Sequence, residues 1–279
     1  MTRRLRAIGL ESALPVMLVV VWWVASADSE SVYFPPLREI VATFADVWLF
    51  DRVASDLIPS LVRFTAGFVV AVASGVGLGL LIGLSPLLRR ATDPLVDFLR
   101  TLPKPAIIPP AILFLGAGAS MKVFIIAFGA IWPVLLNTVD GVRGVDADTL
   151  DMARVYGLRR GERIRRVVLP AATPQIFAGA RLALSIALIL MVVSEMVAST
   201  NGLGYFVLLS QQTFAIPEMW SGILLLGLVG YLFNGIFVLA ERRALRWHRG
   251  WRAAALGQAV DTGAAPARPK NIIPQAADT

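Results

Sequence analysis

The chain contains no cysteine among its 279 residues, and its only histidine is His248. Disulfides, thiolate metal sites and cysteine nucleophiles are therefore excluded, as are a histidine-based metal cluster and a Ser-His-Asp triad. Lysine is also rare, and Lys104, Lys122 and Lys270 all lie outside any G-x-x-x-x-G-K-[ST] loop. The chain thus has no phosphate-binding loop of its own for ATP. We expect neither an enzyme nor a resident cofactor or metal.

Charge is scarce as well. Only 16% of the residues are charged, compared with about 25% in a soluble domain, and 57% are hydrophobic. This balance indicates a single polytopic membrane domain. The formal net charge of +7 does not indicate a nucleic-acid partner, because the basic residues cluster at the ends of apolar stretches, where they orient membrane proteins.

Long apolar stretches are what the sequence does have. Each is close to the roughly 20 residues that a membrane-spanning helix needs, and no period-two alternation indicates a barrel. We predict an all-α polytopic membrane protein with a transmembrane domain at residues 1–252 and a disordered tail, rich in Ala, Pro and Gly, at 253–279. The predicted spans are residues 7–27, 62–84, 94–116, 121–139, 176–198 and 221–240.

The first apolar stretch has two interpretations. Its basic start, apolar run and Ala25-Ser26-Ala27 resemble a secretory signal peptide with a cleavage site. The run is long for a signal peptide, and Trp22 and Trp23 stand where an interfacial anchor belongs. We favour a retained helix, and in both interpretations the N-terminus starts inside.

The distribution of Lys and Arg predicts the orientation. With a cytoplasmic N-terminus, the inner segments hold Arg3, Arg4, Arg6, Arg89 and Arg90, seven basic residues between 140 and 175, and seven more after Ala240. The outer segments hold only Arg38, Arg52, Arg63 and Lys122. This asymmetry places both termini and the 140–175 loop in the cytoplasm.

Two further patterns concern packing. Ile40, Phe44 and Trp48 share one helical face, which predicts either a helix along the outer membrane surface or a simple connector. Gly75, Gly79 and Gly83 recur at four-residue spacing, which favours close packing of helices in lipid. We predict the same role for Gly227 and Gly230 in the last span.

The 140–175 loop predicts two short helices. Thr149 can cap the first helix, whose first turn then includes Asp151, and Gly157 can end it in the left-handed conformation. Pro170 is expected to stop the second helix before the next span. Ala153 is small and lies one turn before Gly157, which would leave a face that another protein can approach closely.

This loop resembles the cytoplasmic loop of ABC importer permeases, whose pattern is E-A-A, three residues, G, nine residues, I-x-L-P. The chain has Asp151-Met152-Ala153, then Gly157, and then Val167-Val168-Leu169-Pro170, at the same spacing. It departs from the pattern by Asp for Glu, Met for the first Ala, and Val for Ile. Met152 enlarges the surface where close docking is expected.

The resemblance implies a type I ABC importer permease fold with six transmembrane helices. It also implies a bacterial inner-membrane location, a homodimer of permease chains, two cytoplasmic ATPase subunits and an external solute-binding protein. The loop would transmit ATPase closure to the spans through the following residues: Asp151, Met152, Ala153, Gly157, Leu169 and Pro170. The rival interpretation is that the arginines of the loop lie on anionic membrane lipid.

Further stretches, such as "LRTLPKPAIIPPAILFLGAG" and "SEMVASTNGLGY", resemble the branch that imports nitrate, taurine and alkanesulfonates. Arg100 and Glu195 lie within them and are candidate pathway residues. Lys104 stands where the pattern has an uncharged residue. Counted along a straight helix from Asp93, it would lie roughly 16 Å into the membrane core, where a cation is expensive. It could attract an anionic substrate, or it could snorkel or pair with Asp97.

A secondary transporter that works without an ATPase is the alternative function. Such proteins usually show internal repeats and ionisable residues inside the membrane that are coupled to ions. The sequence has no convincing repeat, and the loop would have no role in such a protein.

Overall fold

The computed structural model describes residues 2–246, and these residues form helices without any strand. Shorter π-helical turns cover Val47–Asp51, Val53–Leu57 and Ile164–Val168, and a 3₁₀ turn covers Lys104–Ile107. The α-helices are α1 Thr2–Ala25, α2 Leu37–Asp46, α3 Ile58–Leu84, α4 Pro86–Thr101, α5 Ile108–Leu115, α6 Ala119–Arg143, α7 Ala147–Val155, α8 Arg160–Arg163, α9 Leu169–Ala198, α10 Leu203–Gln212 and α11 Ile216–Ala244.

Helix α6 is the centre of the bundle and packs against α3 on one side and α9 on the other. The glycines of α3 form the first contact. A Cβ on Gly75 would lie 2.8 Å from the Val134 Cβ, a Cβ on Gly79 would lie 2.5 Å from the Thr138 Cβ, and Gly83 is similarly close to α6. No side chain fits at such distances, so the glycines let two backbones approach. The predicted packing role of these three glycines is confirmed.

For Gly227 and Gly230 the same role stays a prediction. A Cβ at this position would meet nothing within 4 Å among the described residues, and one at Gly230 would only touch the Leu188 side chain at 3.6 Å. Gly227 and Gly230 are three residues apart, and the spacing of small residues shows which of them share a face and not whether a neighbour covers it.

Helices α3 and α6 run in the same direction. Gly67 faces Ile126 and Gly79 faces Thr138, so the contacts advance together along both helices. The segment that connects two parallel neighbouring helices has to run back to the end of the bundle at which the first helix began. Residues 85–118 therefore travel back along the bundle, and α9 runs opposite to α6. We call the end that carries α7 and α8 the loop end, and the end where α9 meets α10 the far end.

Within residues 2–246, four helical segments are long and apolar enough to cross a membrane: Val53–Leu84, Ala119–Arg143, Arg160–Ala198 and Ile216–Ala244. A fifth span exists if Pro86–Thr101 and Lys104–Leu115 count together, although these two pieces are bent by 94°. The return path of residues 85–118 requires such a crossing. The sequence predicted one apolar stretch here, but the structure has an amphipathic helix, a break at Leu102–Pro103, and a short apolar helix.

The predicted first span forms α1, and its apolar part Val16–Ala25 has 10 residues. The six-span count thus depends on α1 and stays a prediction. The ring of Trp22 meets that of Trp220 in α11 edge-on, with 5.9 Å between their centroids, which ties α1 to the bundle. The predicted tail, residues 253–279, lies outside the described residues, as do residues 247–252 of the predicted domain.

The segment after α1 forms helix α2, but its apolar face meets protein. Leu37, Ile40 and Trp48 are buried. The Trp48 ring packs edge-on against Phe206 of α10, with 4.8 Å between centroids, and its Nε1 donates a hydrogen bond to the Ser221 Oγ at 3.2 Å. The segment is thus packed on the bundle through Trp48, and its position along the outer membrane surface stays a prediction. The compact unit that includes these contacts ends at Gly235.

Candidate functional site

The loop end carries a helix that stops at a glycine. Helix α7 ends as predicted at Gly157, which has φ +72°. The Gly157 amide donates to the Arg154 carbonyl at 2.9 Å, and the Leu158 amide donates to the Ala153 carbonyl at 3.1 Å. These are the two bonds of a Schellman motif, which satisfies the last carbonyls of a helix. A Cβ at Gly157 would meet nothing within 4 Å, so the backbone conformation alone favours glycine here.

The two ends of this loop differ from the sequence prediction. Helix α7 begins at Ala147, so Thr149 lies inside the helix and does not cap it. Pro170 does not stop a helix, because the chain continues from α8 through the π-helical turn Ile164–Val168 into α9. In that turn the Leu169 amide bonds to the Ile164 carbonyl. The changed register places Pro170 in the first turn of α9, where a missing amide hydrogen is tolerated.

Helix α7 is anchored on one side and open on the other. Leu150 packs against a buried cluster formed by Val142, Val168 and Ala172. Ala153 is only 5% exposed, so little of its side chain is open to a partner, and its role in coupling stays a prediction. The residues exposed to a partner are Met152, Val155 and Tyr156.

The other predicted loop residues are less enclosed. Asp151 is exposed and accepts a hydrogen bond from the Arg154 Nη1 at 2.5 Å. Leu169 and Pro170 are half-buried at the start of α9. We call the exposed apolar side chains of Met152, Val155 and Tyr156 the α7 patch.

Lys104 lies at the break between α4 and α5. Its Nζ donates to the carbonyls of Leu99 at 3.3 Å, Arg100 at 2.7 Å and Leu102 at 2.9 Å. An ammonium has three donors, so these bonds use all of them, and they lie where the dipole of α4 favours a cation. The Nζ also lies 5.7 Å from the centroid of the Phe128 ring. Lys104 thus holds the break together in this conformation.

The predicted depth and pairing of Lys104 are both corrected. The 94° bend between the two helical pieces invalidates a depth counted along a straight helix. Asp97 accepts from the Arg100 Nε at 2.9 Å and makes no ion pair with Lys104. Arg100 and Lys104 therefore lie together at the break.

Glu195 lies at the far end in a network that is closed to solvent. It is fully buried and accepts hydrogen bonds from the Ser60 Oγ at 2.8 Å, the Arg63 Nη1 at 2.9 Å and the Gly204 amide at 3.0 Å. Arg63 also donates to the Asn201 side chain. These contacts join the start of α3 to the turn between α9 and α10. Within the described residues no hydrogen bond joins Glu195 to Arg100 or Lys104.

Sequence reasoning missed most of this network. Asp56 is buried and accepts a hydrogen bond from the Gly202 amide at 2.8 Å, and the Leu203 amide donates to the Ser60 Oγ at 2.8 Å. A signal was present, because Asp56, Ser60 and Arg63 are spaced to share one helical face at the entrance of an apolar stretch. Arg63, which the orientation count treated as an outer-loop cation, is only 9% exposed.

A helical bundle of long apolar segments, with a short helix and a glycine turn presented at one end, is the architecture of a polytopic membrane protein. The family model described as "Binding-protein-dependent transport system inner membrane component" matches residues 75–246. The chain belongs to this family, and it is a membrane permease subunit of an ABC importer.

Similar proteins come from several bacteria. The chain is 34% identical over 240 residues to SsuC of Bacillus subtilis, named as a candidate aliphatic sulfonates transport permease protein, covering 85% of this chain and 87% of SsuC. It is 34% identical to the nitrate import permease protein NrtB of Leptolyngbya laminosa, covering 68% and 67% of the two chains. It is 33% identical to the bicarbonate transport system permease protein CmpB of Synechococcus elongatus, covering 68% of each chain.

A solved structure shows the same fold. A chain of the MetNI methionine ABC transporter in an inward-facing conformation aligns with a TM-score of 0.55 and 22% identity, covering 71% of this chain and 97% of that chain. The architecture is thus the type I importer permease fold, and a secondary transporter is excluded.

Proposed function

We propose that this permease carries a small anion whose charge lies on an oxygen-bearing group, such as a sulfonate, taurine, nitrate or bicarbonate. The observation that supports this substrate class most directly is the set of relatives. The three described above are named for aliphatic sulfonates, nitrate and bicarbonate, which are all oxyanions. Arg100 and Lys104 add two cations at the α4–α5 break, so we propose that the substrate path passes this break.

Lys104 contributes to this path indirectly in the proposal. Its three donors are bonded to carbonyls, so the ammonium acts as a fixed positive charge beside the Phe128 and Trp132 rings and does not have to bind the substrate directly. Glu195 is fully buried and bonded to Arg63, and we assign it a bracing role at the far end.

The energy for transport comes from partner subunits. The family works with an ATPase and a solute-binding protein. We propose that two permease chains pair and that each docks one ATPase subunit through the α7 patch and the turn at Gly157. Three exposed apolar side chains on a helix anchored from beneath by Leu150 form a surface that can follow a moving partner as one body.

The orientation is part of the proposal. The basic residues concentrate at the loop end, so we place that end and both termini in the cytoplasm and the far end outside the inner membrane. The binding protein would then deliver its anion next to the turn between α9 and α10.

The substrate class is tested by transport in proteoliposomes. The permease, its ATPase and its binding protein are reconstituted, and ATP-dependent uptake of labelled taurine, alkanesulfonate, nitrate and bicarbonate is measured. A neutral amino acid of similar size serves as the control solute. We expect saturable uptake of at least one anion and none of the neutral solute. Uptake of the neutral solute alone would disprove the anion proposal.

A further inference from the structure

The structure contains a cavity on the inner side of the 140–175 loop that the proposed docking of the ATPase and the proposed substrate path do not explain. It has a volume of ≈ 360 Å³ and lies between the ends of α3 and α6, helix α7 and helix α8. Ligand pockets in proteins are commonly about 300–1,000 Å³, so the space suits a small ligand. Four arginines line it, and we call it the arginine cavity: Arg143, Arg154, Arg160 and Arg163.

The lining of the arginine cavity carries an excess of positive charge. No carboxylate belongs to its lining, whereas a neighbouring cleft includes Asp93 and another includes Glu162. Within residues 2–246, Arg143, Arg160 and Arg163 form no ion pair. Arg154 pairs with Asp151, but both side chains are 63% exposed, so solvent screens that pair strongly.

One lining residue has a donor without a partner. The Nε of Arg163 is buried and makes no hydrogen bond within the described residues. Most buried polar groups are bonded, and an unsatisfied donor calls for a ligand, an ion or a water. A guanidinium fork is suited to the oxygens of a phosphate group, which can accept two parallel bonds.

The cavity also has an apolar side that lies at the right depth for lipid. Leu84 is the last residue of α3 and Val142 lies in the last turn of α6, and both line the cavity. These helices are long and apolar enough to cross a membrane, so we expect the cavity to begin near the level of the lipid headgroups. Basic pockets between spans on the cytoplasmic side are suited to anionic headgroups.

We propose that the arginine cavity binds a phosphate group, either on the headgroup of an anionic phospholipid or as a free phosphate ion. The bound phosphate would neutralise the arginines and brace α7 and α8 against the ends of α3 and α6. The loop that meets the ATPase would thus be stiffened by an anion on its inner side. The proposal depends on the cavity and not on which substrate the permease carries.

The test uses the full chain in nanodiscs and measures its melting temperature. In the free-ion arm, the discs contain only phosphatidylcholine and inorganic phosphate is titrated, with chloride at equal ionic strength as the control. In the lipid arm, phosphatidylglycerol is added to the discs without phosphate. We expect a rise in melting temperature in at least one arm, and the arm that responds identifies the source of the phosphate.

Single substitutions locate the site. Arg143→Gln and Arg163→Gln should weaken the response by about tenfold or more, because each removes charged hydrogen bonds. Arg165→Gln removes the same charge from the loop outside the cavity and should change the response by less than about twofold. The response of the unmodified chain tests the proposal even if one variant fails to fold.

Three results would overturn the proposal. The first is a melting temperature that responds in neither arm. The second is an equal loss with Arg165→Gln, which would show diffuse attraction to the basic loop. The third is a response that disappears when the ATPase is assembled on the permease, which would assign the cavity to the ATPase interface.

Discussion

The pair formed by Glu195 and Arg63 shows how single residues hold the far end together. The two residues lie 132 positions apart in the chain. Glu195 accepts hydrogen bonds from three donors, on Ser60, Arg63 and Gly204. A buried charge is tolerated when its partners are in place, and the loss of one partner leaves the other uncompensated. This network therefore fixes the turn between α9 and α10 against α3.

Removal of this carboxylate should destabilise the protein. Glu195→Gln leaves the Arg63 charge buried, with an expected loss of about 3–5 kcal/mol that appears as a clearly lower melting temperature of the purified permease. Glu39 is exposed, so Glu39→Gln is the control and should change stability by no more than about 0.5 kcal/mol. The double variant Glu195→Gln/Arg63→Met should lose less stability than the sum of the losses of the two single variants. Additive losses would show that the two residues do not act as a pair.

At the scale of an element, α7 is a short helix whose direction is set at both ends. Leu150 holds it to the bundle, and the turn at Gly157 directs the chain into α8. The α7 patch therefore has a defined position relative to α9, which continues from α8 without a break. We therefore expect a push on α7 to reach a long span through this single turn.

The turn can be tested without any change in packing. A Cβ at Gly157 meets no atom, so the effect of a substitution comes from the φ of +72° alone. Gly157→Val should cost about 1–2 kcal/mol in this conformation, tilt α7, and lower both ATPase co-purification and substrate-stimulated ATP hydrolysis. Gly157→Asn tolerates the left-handed region and should remain close to the unmodified protein. Normal transport by the Gly157→Val variant would refute the proposed role of the turn.

At the scale of the whole molecule, the parallel arrangement of α3 and α6 determines the path of the chain. The segment between them is bent by 94°, yet it has to return from the loop end to the far end. The crossing is thus made by two helical pieces whose break is held by Lys104. A break in a membrane-spanning segment leaves backbone carbonyls without their helical partners. Such carbonyls are tolerated where they face a cavity or another hydrogen-bond donor.

The proposed orientation predicts which ends of the molecule react with a reagent outside the cell. The chain has no cysteine, so single cysteines can be introduced at exposed positions at the two ends. Gln211→Cys should be labelled in intact cells by a maleimide that does not cross membranes. Arg160→Cys should be labelled only after the cells are permeabilised. Labelling of Arg160→Cys in intact cells would reverse the orientation.

The sequence alone determined the properties that depend on local composition. Apolar length predicted the helical membrane architecture, because the cost of exposing backbone to lipid leaves few alternatives. The spacing of Asp151, Gly157 and Pro170 indicated the family, and the requirement for a left-handed residue placed the end of α7. The glycines of α3 indicated a packing face, since residues four apart share one side of a helix.

The tertiary structure alone decided which groups meet. Three features form only when separate parts of the chain meet in the fold. They are the network of Glu195, the capping of the α4 end by Lys104, and the arginine cavity. The burial of Ala153 could not be predicted either. The side of α7 that faces the bundle is set by the packing of Leu150 against the cluster of Val142, Val168 and Ala172, and these residues belong to other helical segments. A sequence gives the residue types and their periodicity, whereas burial and pairing arise only when separate helices pack.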